Sequence, residues 1–207
     1  TSVKLIAFAG KEKTYHAWGY ATKAEMEEHG RQYNPCGEYT GDDNEKHYYA
    51  DQTDNYLQKN YQLLFNHTYS TAWNLNVALH YTKGDGYYEE YKPGSSLVEY
   101  GLKPFNPDGT ETNESDLVRQ KKMDNKFGGG VFSLNYTGNR LTASLGGGLN
   151  QYRGNNFGKV TWVKNYIGNL SPEHEYYRNK SKKTDGNIYM KANYDLTSTL
   201  SAYADLQ

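Results

Sequence analysis

Three times a run of alternating apolar and polar residues closes on a tyrosine, turns within a few residues and resumes in the opposite direction. Tyr61-Gln-Leu-Leu-Phe-Asn-His-Thr-Tyr69 leads into Trp73-Asn-Leu-Asn-Val-Ala-Leu-His-Tyr81. Val131-Phe-Ser-Leu-Asn-Tyr136 leads into Leu141-Thr-Ala-Ser-Leu145, and Ile188-Tyr-Met-Lys-Ala-Asn-Tyr194 into Leu200-Ser-Ala-Tyr-Ala-Asp-Leu206. Successive side chains of a strand point to opposite faces, so a period of two predicts antiparallel strands with unlike faces. One face carries Trp73, Leu75, Val77, Leu79 and Tyr81; the other carries Asn74, Asn76, Ala78, His80 and Thr82. The second set is too polar for a sandwich core and too poor in charge for an ordinary soluble surface. A wall between lipid and a wet lumen accounts for both. The expected fold is all-β: an antiparallel up-and-down meander forming part of a transmembrane β-barrel. A further strand near residues 3–10, of ambiguous facing, brings the count to seven.

Connections between these strands are unequal. Short turns alternate with long polar stretches at 11–51, 84–120 and 154–184, the arrangement of barrels with tight periplasmic turns and long external loops. Tyr69, Trp73, Tyr136 and Tyr194 flank the short turns, where an aromatic girdle would sit at a membrane–water boundary; the plainer reading is that Tyr suits strands anywhere. Glycine triplets at 128–130 and 146–148 fall inside strand patterns, where they mark strong bending or close contact. Neither triplet has the Lys-Ser/Thr ending of a phosphate loop.

Composition narrows the classes further. Mean hydropathy is -0.99 and only 36% of residues are hydrophobic, low values for a large dry core. Yet aromatics reach 15%, with 22 tyrosines, which argues against disorder. The net charge of -1 and the dispersed Lys and Arg residues give no basic face for nucleic acid. No stretch approaches the roughly 18 apolar residues of a membrane helix, which excludes helical spans only, because membrane strands need about 9–11 residues. Thr1 opens no signal peptide, so the sequence reads as processed or cut from a longer chain. Cys36 is the single cysteine and says little about compartment.

Candidate chemistry lies in the polar stretches. Tyr87, Tyr88 and Tyr91 could stack on a sugar or another ring-bearing ligand, against ordinary cross-strand packing. Tyr176 and Tyr177, beside Glu173 and His174, and Tyr48 and Tyr49, beside His47, invite a metal-chelate reading, but no compact His/Cys spacing supports it. Asp85, Glu89 and Glu90 could hold a cation through oxygen ligands, against a solvated strand end. His67 and His80 fall on opposite faces and read as structural. The pairs Glu27/Glu28 and Asp42/Asp43 sit in loop sequence with no sign of a catalytic cleft. No catalytic, metal or cofactor site is expected.

Several segments resemble the barrel region of TonB-dependent outer-membrane receptors of the Bacteroidetes type. They are Lys4-Leu-Ile-Ala-Phe-Ala-Gly-Lys-Glu-Lys-Thr-Tyr-His-Ala-Trp18, Thr53-Asp-Asn-Tyr56, Leu75-Asn-Val-Ala-Leu-His-Tyr-Thr-Lys-Gly84 with Gly86-Tyr-Tyr-Glu-Glu-Tyr91, and Phe157-Gly-Lys159. The resemblance implies a barrel of 22 strands, of which residues 1–207 would supply about seven from the middle. It also implies a plug and TonB box outside this sequence. It implies coupling to the TonB complex, a location in the outer membrane of a Gram-negative bacterium, and contact with outer-membrane lipid and possible surface lipoproteins. The expected cargo is a scarce nutrient: an iron chelate, cobalamin, glycan or peptide. The alternative from a different class is a soluble β-rich carbohydrate-binding module, with a glycan-active enzyme third.

Overall fold

The computed structural model describes residues 1–168, 170 and 174–207. Strands β1 (Ser2–Tyr15), β4 (Thr53–Thr68), β5 (Trp73–Ser96), β6 (Glu114–Thr137), β7 (Leu141–Val163), β8 (Glu175–Asp195) and β9 (Ser201–Leu206) form one sheet in that order. Every neighbouring pair is antiparallel. The fold is therefore all-β, with an antiparallel meander as its body. The sheet is open, and β1 and β9 form its two edges. A helix, α1 (Lys23–His29), and a small hairpin of β2 (Glu38–Thr40) and β3 (Lys46–Tyr48) lie in the first long connection.

The three hairpin turns fall where the alternation predicts them, at one end of the sheet. The first closes with Tyr69 N–H donating to Trp73 O at 3.0 Å, the second with Gly138 N–H to Leu141 O at 2.8 Å, and the third with Leu196 N–H to Leu200 O at 2.9 Å. The other end departs from the expectation. The polar stretches are mostly strand: β5 runs on to Ser96, β6 starts at Glu114, and β7 reaches Val163. The true connections are residues 16–52, 97–113 and 164–174. β5 and β6 have 24 residues each, about 80 Å at the usual rise, far beyond a bilayer's need. In the extensions Tyr, Lys, Asn and Gly occupy both parities, so backbone pairing persists without a period-two signal.

Register fixes the faces. Val3, Leu5 and Ala7 oppose Phe65, Leu63 and Tyr61, which settles the facing of β1. The row continues through Val77, Leu79 and Tyr81 on β5, Phe132 and Leu134 on β6, Leu145 and Leu149 on β7, and Ile188 and Met190 on β8. Among the described residues nothing is layered on this face: Leu5 is 74% exposed, Leu79 49%, Leu149 65% and Ile188 64%. Its extent, about six strand spacings by eight residues of rise, is on the order of 800 Å², above the largest apolar patch of an ordinary soluble monomer.

The opposite face is a polar ladder. Asn66 donates to Asn76; Asn76 donates to Asn74 at 2.7 Å and to Ser133 at 3.3 Å. Ser144 donates to Asn135 at 2.8 Å, Thr82 to Asn60 at 2.9 Å, and His80 pairs with Asn150 at 2.8 Å. An open trough of about 640 Å³ along this face is lined from Ser2 and Lys4 on β1 across to Asn187 and Tyr189 on β8, so the polar face is the concave one.

Glycine enters where the strands approach closely. A Cβ on Gly129 would meet Leu149 O at 2.4 Å, and one on Gly147 would meet Asn187 O at 2.6 Å. The triplets lie beside each other, with Gly130 opposite Leu149 and Ser133 opposite Gly146. The packed core is elsewhere: Leu97, Tyr100, Leu102, Leu117, Val160 and Val163 cluster at the long-connection end, with Tyr166, Leu170 and Tyr176 against them.

Candidate functional site

The chemistry concentrates on the concave face just below that core. Register places Tyr88 opposite Lys121 and Glu90 opposite Arg119, so these four share the inner face. Two turns of sequence supply the remaining parts. β1 ends at Tyr15, and His16 N–H donates to Gln52 O at 2.8 Å, which brings residues 16–18 over the sheet. Asn34 Nδ2 then donates to His16 O at 2.7 Å and fixes this bend. Trp18 stacks on His16 at 3.7 Å and meets Tyr88 edge-on at 5.3 Å.

Beneath this stack lies a pocket of about 210 Å³ lined by Asp54, Tyr56, Tyr88, Lys121, Asn156 and Tyr177, among others. Glycine makes room for it. A Cβ on Gly84 would meet Tyr56 Oη at 1.9 Å, and one on Gly86 would meet Tyr56 Cδ2 at 2.7 Å, so the Tyr56 ring crosses both glycines. Gly158 likewise lies under the Tyr176 and Tyr177 rings. Lys121 Nζ stands 5.8 Å from the Tyr88 ring centroid, a cation over an aromatic face. The pocket thus offers ring faces, two lysines, one carboxylate and one amide. Drug-sized ligands fill about 300–1,000 Å³, so this volume holds a single ring of a larger molecule.

A buried ion pair supports the wall behind it. Arg119 Nε and Nη2 donate to Glu90 Oε2 at 2.9 and 2.7 Å, and Arg119 Nη1 donates to Tyr100 Oη at 3.0 Å. Burial disfavours the charged guanidinium, but the Glu90 carboxylate outweighs that and holds Arg119 protonated. His16 is only 3% exposed, and neither ring nitrogen has a hydrogen-bond partner. Burial lowers its pKa, with Glu90 and Asp54 pulling the other way, so it is held neutral.

The expected ligand residues do not form one site. Tyr88 and Tyr177 converge on the pocket, and burial raises the pKa of the Tyr177 phenol. Tyr87 also borders the pocket but has the opposite parity, and its ring lies under Lys122 Nζ at 4.5 Å. Tyr91 enters a separate cleft with Tyr39, Trp162 and Asp116, where its hydroxyl donates to Asp116 at 2.7 Å. Tyr176 belongs to the core, 4.7 Å from Tyr100, and its hydroxyl is buried without a partner. Trp18, His16, Asp54, Tyr56 and Lys121 went unread in the sequence, because pairing at a distance of tens of residues brings them together.

The other clusters separate too. Glu89 accepts from Tyr49 at 2.6 Å and Glu90 pairs with Arg119, on opposite faces, so Asp85, Glu89 and Glu90 make no common cage. His47 pairs with Asp43 at 3.0 Å, while Tyr48 donates to Glu38. His174 Nε2 contacts Tyr100 O at 2.8 Å; Glu173 lies outside the described residues. Among the described residues no three His, Cys, Asp or Glu side chains gather as metal ligands. Glu27 and Glu28 lie on α1 rather than in a loop.

The aromatics beside the turns fall at one level of the convex face. Trp73 opposes Tyr136 with ring centroids 4.9 Å apart, Tyr194 opposes Leu141, and Tyr69 meets His67 edge-on at 4.3 Å. A comparison of the chain with models of known families, with curated proteins and with solved structures finds no match.

Proposed function

We propose that this chain is a wall segment of an outer-membrane β-barrel receptor that imports a scarce nutrient, with its convex face in lipid and its concave face lining the path. The observation that carries this reading is the pairing of an uncovered aliphatic belt with an amide-rich inner face on the same seven strands. A soluble module would leave that belt in water. The open edges at β1 and β9 would meet further strands of the same barrel, since uncovered edges invite association. The extensions above the belt would rise outside the membrane and carry the first contact with cargo.

In this reading the pocket around Tyr88 and Tyr177 receives one polar ring of the cargo. Tyr56, Tyr88 and Tyr177 supply ring faces, Trp18 holds the Tyr88 ring edge-on, and Asp54, Lys121 and Asn156 supply hydrogen-bonding groups. The resemblance to TonB-dependent receptors adds a plug and energy coupling through TonB. A surface lipoprotein would be the natural partner for a glycan or peptide cargo.

The test is fractionation of the full-length product. It is expected in outer membranes, released only by detergent, and its deletion is expected to abolish growth on one limiting nutrient. Recovery as a detergent-free soluble protein would overturn the reading. Trp18→Ala or Tyr88→Ala is expected to weaken cargo binding by about tenfold, the order of one stacked ring or cation–π contact.

A further inference from the structure

Five cations stand in one line across the convex face. Lys59 opposes Lys83, Lys83 opposes Lys126, Lys126 opposes Arg153, and Arg153 opposes Lys182, so each strand from β4 to β8 contributes one basic side chain to a single cross-strand row. All five are exposed. Like charges directly opposite on neighbouring strands destabilise a sheet, and here the arrangement repeats at every junction of the row. Arg153 donates to Gln151 Oε1 at 2.7 Å, but among the described residues none of the five has a carboxylate within 4.0 Å. Asp85 and Asp124 lie two residues further out on the same face, about 7 Å along the strand. Two acidic side chains nearby against five basic ones leave the row with a surplus of positive charge.

Its height is informative. The next row toward the short turns holds Tyr61 and Tyr81, with ring centroids 6.4 Å apart, and below them the aliphatic belt begins. From Trp73 to Lys83 the strand climbs about 34 Å, or about 24 Å of vertical rise at a tilt near 45°, which matches an apolar band about 25 Å tall. The row thus begins directly above the Tyr61/Tyr81 pair, and at the same tilt it slants by about 14 Å over its four strand spacings, so it crosses the headgroup layer instead of lying at one depth. Lys126, Arg153 and Lys182 also line a shallow groove with Lys180 and Asp124, so four basic residues surround one acidic residue at β6 to β8.

We propose that this row docks the phosphate groups of anionic lipid headgroups in the leaflet on the long-connection side. The proposal rests on the membrane-wall reading. Bound phosphates balance that surplus, accept charge-assisted hydrogen bonds from ammonium and guanidinium groups, and fix the barrel's depth and tilt.

The experiment reconstitutes the full-length product into phosphatidylcholine vesicles containing a minor fraction of phosphatidic acid, then counts the phosphatidic acid retained per protein after mild extraction. The variant Lys59→Gln/Lys83→Gln/Lys126→Gln/Arg153→Gln/Lys182→Gln is expected to enter the vesicles like the parent but to lose selective retention by at least about tenfold. Lys126→Gln/Arg153→Gln gives an intermediate loss and serves if the larger variant does not refold. Lys23→Gln/Arg31→Gln/Lys103→Gln, remote from the row, should retain the parent's selectivity. Equal retention by parent and row variant overturns the proposal while leaving the wall reading intact. So does displacement of the lipid by inorganic phosphate at equal concentration, which would assign the row to free phosphate. Failure of the full-length product to enter neutral vesicles overturns both.

Discussion

His16 shows how the site constrains a single residue. Its ring is enclosed by Trp18 and Tyr88, with both nitrogens unpartnered, so it folds in the neutral form. The folded pKa lies below 6.5, lowered by burial against the pull of Glu90 and Asp54. A depressed basic group binds fewer protons folded than unfolded. The stability it contributes is therefore complete above about pH 6.5 and is lost as pH falls toward and through the folded value. Amide exchange in residues 15–52, corrected for intrinsic rates, should accelerate between neutral pH and pH 5, and His16→Phe should flatten that dependence. An imidazole that titrates near 6.5 in the folded chain would refute the account. None of this was legible beforehand: His16 occupies one position in a polar stretch, and its enclosure depends on Gln52, Asn34 and Tyr88.

At the scale of elements, legibility followed wetting. Where one face is aliphatic and the other polar, as from Trp73 to Tyr81, alternation declares strand, facing and turn together. Above Lys83 both faces are polar, and the same strands continue unannounced to Ser96 and Glu114. α1 was missed although its start is written in the sequence: Thr22 and Glu25 form a reciprocal capping box, with Thr22 N–H donating to Glu25 Oε2 at 2.7 Å. The glycine triplets were legible as close contacts because a strand rarely tolerates three in succession. Their role yields a paired prediction. Gly129→Ala forces a Cβ onto the backbone of β7 and should cost about 1–3 kcal/mol, read as a lower unfolding midpoint. Gly10→Ala, with nothing within 4 Å, should be silent or mildly stabilising. Equal effects at the two positions would mean that strand entropy, and not close approach, selects these glycines.

For the whole molecule, the deciding question is which surface meets water. Leu79 and Ala78 are consecutive on β5 and lie near the middle of the belt, one outward beside Leu63 and one inward beside Leu64 and Val131. In a lipid-embedded wall, Leu79→Arg places a charge at the hydrocarbon midplane and should cost about 2–4 kcal/mol in vesicles. Ala78→Arg puts the same charge into the open trough, where water can solvate it, and should cost little. A soluble carbohydrate-binding module predicts the reverse order. There Leu79 is an exposed leucine whose replacement by Arg removes a sticky patch at no structural cost. Ala78→Arg would instead disturb a ligand-facing groove. Denaturant titration of both variants, folded in vesicles and separately in buffer, reads the sign of this difference directly. A greater loss at position 79 in lipid supports the wall; a greater loss at position 78, with Leu79→Arg improving solubility in buffer, transfers the chain to the soluble class.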